Sequence, residues 1–419
     1  MTAILRLSII IAFSAFALGH PAQAARDRGT PRVDVAQADD GPSRSADSVT
    51  QCLDNPSRQC ALAAALMITA EEKLAIERVD TLIALAETFA RLGQDQRART
   101  SAQMAREAAQ DIGISAGTQQ KLAALAPVLG IIGQTDEAIA TAEALKDRYD
   151  VANALGHIAL TLAGRNNFDA AQETLQRIDE PLLALKYAVK ATESFIVNGA
   201  SEDGIAAAAQ LLEERLEDVD DSFLQALGYA RLAAMRARLG DVEEARRLAT
   251  RAQEMAATIN LAGRMARLQA ALALVDLALG DRQSYDNRVS RAANLAGRVY
   301  SDYDRATAYG DVIPALAAGD HVARAMDLAD RVKSIRTLTS LLERLSQGVA
   351  QDKVLEALAQ LVLERTAEED SRFERDRARL KVSQALVRIG NTRQAARAIR
   401  AIERNDMQAH GLAVLARAL

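Results

Sequence analysis

From Asn55 to the C-terminus, apolar residues return every three or four positions, the spacing that gathers them on one face of a helix. Short polar turns break these runs, and no stretch shows the period-two alternation that a half-buried strand requires. The punctuation is glycine. Leu92-Gly93-Gln94-Asp95, Ile132-Gly133-Gln134-Thr135, Ala163-Gly164-Arg165-Asn166, Asn198-Gly199, Leu239-Gly240-Asp241, Leu279-Gly280-Asp281, Ala318-Gly319-Asp320 and Ile389-Gly390-Asn391 each interrupt a helical pattern, with Gln347-Gly348 a weaker member. Successive glycines lie 29 to 42 residues apart, and a period of about 37 marks an array of helical hairpins.

The sequence around each turn has a mechanical reading. Glycine reaches the left-handed conformation cheaply and so ends a helix, and a following Asp, Asn or Thr can cap the next one. Five positions after four of the glycines stand Ala98, Ala138, Ala245 and Ala395, where a bulky group would push the two helices apart. Seven and eight positions before their glycines recur Leu85-Ala86, Leu125-Ala126, Leu232-Ala233 and Leu272-Ala273, placed to form the seam within each hairpin.

This Gly-x-x-x-x-Ala turn with its upstream Leu-Ala resembles tetratricopeptide and related helical-hairpin repeats, over roughly residues 55–419. The units at Gly164, Gly280 and Gly319 depart from the pattern, and Trp is absent throughout, so the resemblance is to the divergent tetratricopeptide-like superfamily. It implies an all-α, right-handed α-solenoid of about nine or ten antiparallel hairpins, each contacting its neighbours. It also implies a concave face made by the helices that precede each glycine. The positions exposed there would include Ile83, Glu87, Ala123, Ala154, Ile158, Ala230, Ala234, Ala270, Leu274, Tyr309, Ile313 and Gln384. Such a groove, apolar in its middle, suits an amphipathic helix or an extended apolar segment.

Composition supports close helix packing. Alanine accounts for 87 of 419 residues, against 14 aromatics, and Ala loses no side-chain entropy in a helix while letting backbones approach. A net charge of −5 speaks against general nucleic-acid binding. The first 24 residues read as a signal peptide: Arg6, an apolar run from Leu7 to Leu18, and Ala22-Gln23-Ala24 as the cleavage pattern. That run is too short to span a bilayer, and no later segment is apolar enough. The expected organisation is a signal peptide over 1–24, a flexible tether over 25–49 and the solenoid over 50–419, with the mature protein periplasmic.

Cys52 and Cys60 are the two cysteines, and an even count in an exported chain predicts a structural disulfide. Pro56 fits a first helical position after an Asp54-Asn55 cap, which would leave Cys52 outside the helix and Cys60 within it.

The sequence holds no catalytic constellation. His157, His321 and His410 are far apart, no metal-ligand spacing is present, and the isolated turn glycines do not form a phosphate loop. Neither a cofactor nor a metal is expected. Two features could mark a partner-binding surface. Tyr300, Tyr303 and Tyr309 cluster within ten residues, either as an interface or as ring-shaped filling of a loose seam. Arg393, Arg397, Arg400 and Arg404 lie along one helical face, able to receive an acidic partner or to pair with Glu368, Glu369, Asp370 and Glu374. Together with Ile158, Leu274 and Ile313 of the groove, these are the candidate partner-binding residues. The expected function is a non-enzymatic periplasmic scaffold or adaptor that binds envelope proteins or peptide segments. The alternative is a cell-wall or polysaccharide-associated factor, enzymatic or not, and oligomeric state stays open.

Overall fold

A computed structural model of the chain describes residues 43–112, 115–197, 201–347 and 352–419. The signal peptide and most of the expected tether lie outside these residues. Among the described residues there is no strand.

Two helices come first, α1 (Ser43–Asp54) and α2 (Arg58–Glu71). Helix α1 begins within the stretch expected to be tether, so the folded unit starts earlier than the hydrophobic pattern suggested. Nine hairpins follow: α3 (Ala75–Arg91) with α4 (Asp95–Asp111), α5 (Ala116–Ile131) with α6 (Thr135–Glu143), and α7 (Arg148–Gly164) with α8 (Phe168–Gln176). Next come α9 (Pro181–Val197) with α10 (Glu202–Glu217), α11 (Ser222–Arg238) with α12 (Val242–Met255), and α13 (Ala262–Ala278) with α14 (Arg282–Gly297). The last three are α15 (Asp302–Ala318) with α16 (Val322–Asp330), α17 (Ile335–Gln347) with α18 (Asp352–Thr366), and α19 (Arg372–Arg388) with α20 (Thr392–Arg400). The last described helix is α21 (Asn405–Ala418).

Five of the described turns are closed by the expected glycine, and the turns expected at Gly199 and Gly348 lie outside the described residues. Gly93, Gly133, Gly240, Gly280 and Gly390 all have positive φ. At each, the next amide reaches back to a carbonyl five residues earlier, as Gln94 does to Phe89 at 2.8 Å, which closes a Schellman motif. Two turns do this without glycine: Asn166 and Asp320 take the left-handed position, at φ 62° and 65°. Gly164 therefore belongs to α7, and Gly319 has another role. Tyr285 occupies the small-residue position of its own hairpin, fully buried, and its hydroxyl donates to the Ala315 carbonyl at 2.7 Å. A Cβ on Gly319 would overlap that ring. The alanines five positions past the other turns are completely buried, as are the Leu-Ala pairs.

The odd-numbered helices from α3 to α21 pack side by side in order, each with an even-numbered helix outside it. The order then closes, because α21 packs beside α3 and takes α2 as its outer partner. The described unit is thus a ring of ten hairpins, nine continuous in sequence and the tenth assembled from the two ends of the chain. Leu62, Ala65 and Ile68 of α2 are buried, as are Leu412 and Leu415 of α21. Helix α1 rests on α2 and α20, tied by the Cys52–Cys60 disulfide with its Cα atoms 5.8 Å apart. The bond joins two helices rather than a tether and a helix. Ser57, not Asp54 or Asn55, caps α2 by accepting from the Cys60 amide at 3.3 Å, which leaves Pro56 ahead of the cap.

Candidate functional site

Closing the array turns its concave face into a lumen, and the lumen is charged rather than apolar. On one arc, Asp311 of α15 accepts from Arg231 of α11 at 3.2 Å, from Arg267 of α13, and from Arg344 of α17 at 2.9 Å. Burial alone would raise the Asp311 carboxyl, but Arg231, Arg344 and Arg267 outweigh it and hold its pKa below the ordinary value. Lys186 and Lys190 of α9, one turn apart, lie near enough to the hub to feel its arginines. Burial and Arg344 depress Lys186. Burial, Lys186, Arg344 and Arg231 depress Lys190 against the pull of Glu193. His157 of α7 is pushed down to about 4 by burial and by Lys186 and Lys190, with Glu343 of α17 opposing. Helices α7 and α17 stand opposite each other in the ring order, so charges interact across the lumen.

Two mid-helix glycines build this arc. A Cβ on Gly156 would overlap the buried ring of Tyr187, over which the Lys186 ammonium sits 4.6 Å from the centroid. Tyr187 is fixed by donating to Asn153 Oδ1 at 2.9 Å. A Cβ on Gly310 would overlap the Arg344 guanidinium. Glycine costs helix stability at both places, and at both it admits the support or the head group of a cation.

The other arc is the seam. Glu87 of α3 accepts from Arg417 of α21 at 2.9 Å and from Arg91 at 2.9 Å. Burial would raise Glu87, but Arg417 and Arg91 bring it down to about 2. Thr88 donates to the Ala413 carbonyl at 3.0 Å, and Arg404 joins Glu77 of α3 at 2.8 Å and Asp406 at 3.0 Å. His410 Nε2 accepts from the Gln384 side-chain amide at 3.1 Å and is pushed down to about 4 by burial, Lys381 and Arg417, against Glu87 and Asp406.

The expected groove residues are mostly consumed by packing. Ile158, Ile313 and Tyr309 are buried, together with Ala154, Ala230, Ala234 and Ala270, while Leu274 is half-buried. Neighbouring inner helices close shoulder to shoulder in a ring, and the stripe left open lies one or two positions away, at His157 and Asp311. The arginine stripe also divides. Arg400 pairs with Asp54 of α1 and Arg404 with Glu77 and Asp406, so both fasten the seam rather than meeting Glu368, Glu369, Asp370 or Glu374. Arg393 and Arg397 stay exposed with no acidic partner among the described residues. Tyr309 fills the core, whereas Tyr300 and Tyr303 are 100% and 81% exposed.

Those two tyrosines belong to a larger pattern. All inner helices run in one direction, so their N-termini share one rim. On that rim stand Leu74 and Ile76 at α3, Tyr149 at α7, Leu182 at α9, Leu261 at α13, Tyr300 and Tyr303 at α15, and Phe373 at α19. Among the described residues, eight of the eleven exposed large apolar side chains lie there, while only Leu239 and Val242 lie at the glycine turns of the opposite rim. Ion pairs such as Arg264–Asp221 and Arg372–Glu403 stand among them. Among the described residues no group of His, Cys, Asp or Glu is placed to hold a metal, and no helix is long and apolar enough to cross a membrane.

No protein-family model and no curated protein matches the chain in sequence. Among solved structures it is similar to Ton1535 from Thermococcus onnurineus NA1, over 89% of this chain and 99% of that one, at 16% identity and a TM-score of 0.28. A circular tandem repeat protein with novel repeat topology and enhanced subunit contact surfaces aligns over 85% of this chain and 80% of its own, at 14% identity and a TM-score of 0.26.

The chain is a helical repeat protein. Its repeat character rests on its own packing: hairpin upon hairpin, joined by a recurrent turn. The sequence singled out Tyr300, Tyr303 and the turn glycines. It missed the lumen cations, for which Gly156 and Gly310, both set inside otherwise regular helices, were the available signal.

Proposed function

We propose that the chain is an exported, non-enzymatic scaffold or adaptor of the divergent tetratricopeptide-like class, which holds a protein partner against one rim of its ring in the periplasm. The observation that carries this reading is the apolar rim. Eight of the eleven exposed large apolar side chains among the described residues gather on this one rim, and apolar surface concentrated on one face favours a partner there. Tyr and Phe are enriched at the cores of such sites. The partner would present an apolar surface edged by charges of both signs, matching the ion pairs between the rim's apolar side chains. The closed ring moves this role from the concave face to the rim, because a lumen walled on all sides cannot take a segment laid into it from the side. Export is supported by the N-terminal Arg6, apolar run and Ala22-Gln23-Ala24 pattern and by the Cys52–Cys60 bond, which suits an oxidising compartment.

The test is capture from envelope extract by the mature protein, repeated with Leu261→Ser, Tyr300→Ser and Tyr303→Ser combined. The rim reading expects the captured partner to be lost while the melting temperature is kept. Retention of the same partner at the wild-type level would remove the rim from the interface. Saturable binding of a glycan, with no protein retained, would overturn the scaffold reading itself.

A further inference from the structure

We propose that the lumen arc formed by Lys186, Lys190, Arg231 and Arg344 is a binding site for a small polyvalent oxyanion, such as a polyphosphate or polycarboxylate. The charge balance points there. Three arginines share the single carboxylate of Asp311. Lys190 has Glu193 to oppose its depression, and Glu343 is engaged by Lys381 at 2.7 Å. Lys186 has only the Tyr187 hydroxyl and ring, and no carboxylate among the described residues. The arc therefore carries an excess of about three positive charges inside a chain whose net charge is −5, so the excess is local and not a property of the whole surface.

The site is built rather than accidental. Asp311 orients three guanidinium groups that project from three different helices, and Gly310 leaves the room that Arg344 needs. Gly156 admits Tyr187, which in turn holds the Lys186 ammonium. Guanidinium groups fixed in place bind oxyanions through paired N–H donors, while an ammonium adds a compact point charge. The surrounding helices lower the effective dielectric, which strengthens each such contact.

The experiment is isothermal titration of the full mature protein with inorganic tripolyphosphate at fixed ionic strength. Wild type, Lys186→Gln, and an Arg393→Gln/Arg397→Gln double variant would be compared. The expected result is saturable binding at one site per chain, weakened at least about tenfold in Lys186→Gln and unchanged in the double variant. Lys186→Gln removes like-charge repulsion, so its melting temperature should not fall, and a loss of binding cannot then be assigned to unfolding. Absence of saturable binding would overturn the proposal. So would equal weakening by the outer arginine variant, which would show diffuse attraction to surface charge. Tighter binding of a polyglutamate peptide, competing at Lys186, would replace the small oxyanion with a threaded acidic chain and reject the ligand class. None of these outcomes depends on the apolar rim.

Discussion

The two arcs of the lumen use the same residue types to opposite ends. At the seam, Arg417 and Arg91 meet Glu87, and Arg404 meets Glu77 and Asp406, so each guanidinium has at least one carboxylate within reach. Across the ring, three arginines crowd on Asp311 and Lys186 has none. Charge that is paired joins elements together; charge left in excess is available to something else. The seam must be paired, because its two sides come from opposite ends of the chain and no short loop holds them in register. The basic arc sits between hairpins already joined by covalent turns, so its like charges can be tolerated there.

The comparison breaks most severely if the shared hairpin is dismantled. Removing residues 43–72 takes away the outer partner of α21 and exposes Leu412 and Leu415, both fully buried. The loss of several large buried side chains at once should cost more than about 5 kcal/mol. A denaturant transition superimposable on that of the intact protein would show that the ends do not depend on each other.

Single charges sharpen the contrast. Arg417→Ala leaves the half-buried Glu87 with Arg91 alone, breaks the link from α3 to α21, and should cost about 1–3 kcal/mol. Arg344→Ala leaves Asp311 with two arginines and should cost less than about 1 kcal/mol. Equal losses in chemical denaturation would erase the distinction between the arcs.

Acid should act next. His410 titrates at about 4 when folded against an ordinary 6.5. Between those values the unfolded chain binds a proton that the folded one does not, so stability falls as pH drops from 6.5 towards 4. For this half-buried ring the loss should reach about 1–2 kcal/mol. Below 4.5 a second loss begins, because folded Glu87 keeps its charge down to about 2 and protonation removes its attraction to Arg417. His410→Gln should flatten the upper window and leave the lower one. Unchanged slopes in pH-dependent melting would mean that the seam does not hold His410 neutral.

The smallest effect separates two glycines. Gly310→Ala pushes against Arg344 and should cost about 1 kcal/mol. Gly164→Ala, where nothing crowds the new methyl, should be neutral or stabilising by up to about 0.5 kcal/mol. Reversed signs in thermal unfolding would argue that Gly310 does not make room for a cation.

Much of the fold was legible because it is local. The turn glycines, the alanines five positions on and the Leu-Ala pairs each describe one hairpin, and the structure buries them as their spacing requires. Closure was not legible, since an open and a closed array share the same period, and the complementarity of α2 with α21 spans almost the whole chain. The arginine stripe shows the limit well. Arg393, Arg397 and Arg400 do share α20, but the helix ends there and Arg404 stands just ahead of α21; Asp54 and Glu77, the acids that meet Arg400 and Arg404, lie more than 300 positions away. The groove failed for a related reason: the curvature that shuts the ring also buries Ile158, Tyr309 and Ile313.

Closure itself can be tested by a cross-link. In a background of Cys52→Ser and Cys60→Ser, cysteines introduced by Glu87→Cys and Arg417→Cys would be treated with a short bismaleimide, and the monomer band digested and sequenced by mass spectrometry. The remaining seam contacts, among them Thr88 to Ala413 and Arg404 to Glu77, keep the two sites together. A ring gives an efficient intramolecular link joining the peptides that carry positions 87 and 417. An open solenoid gives singly modified monomers, with links forming only between chains, and that result would contradict the tenth hairpin and the lumen with it.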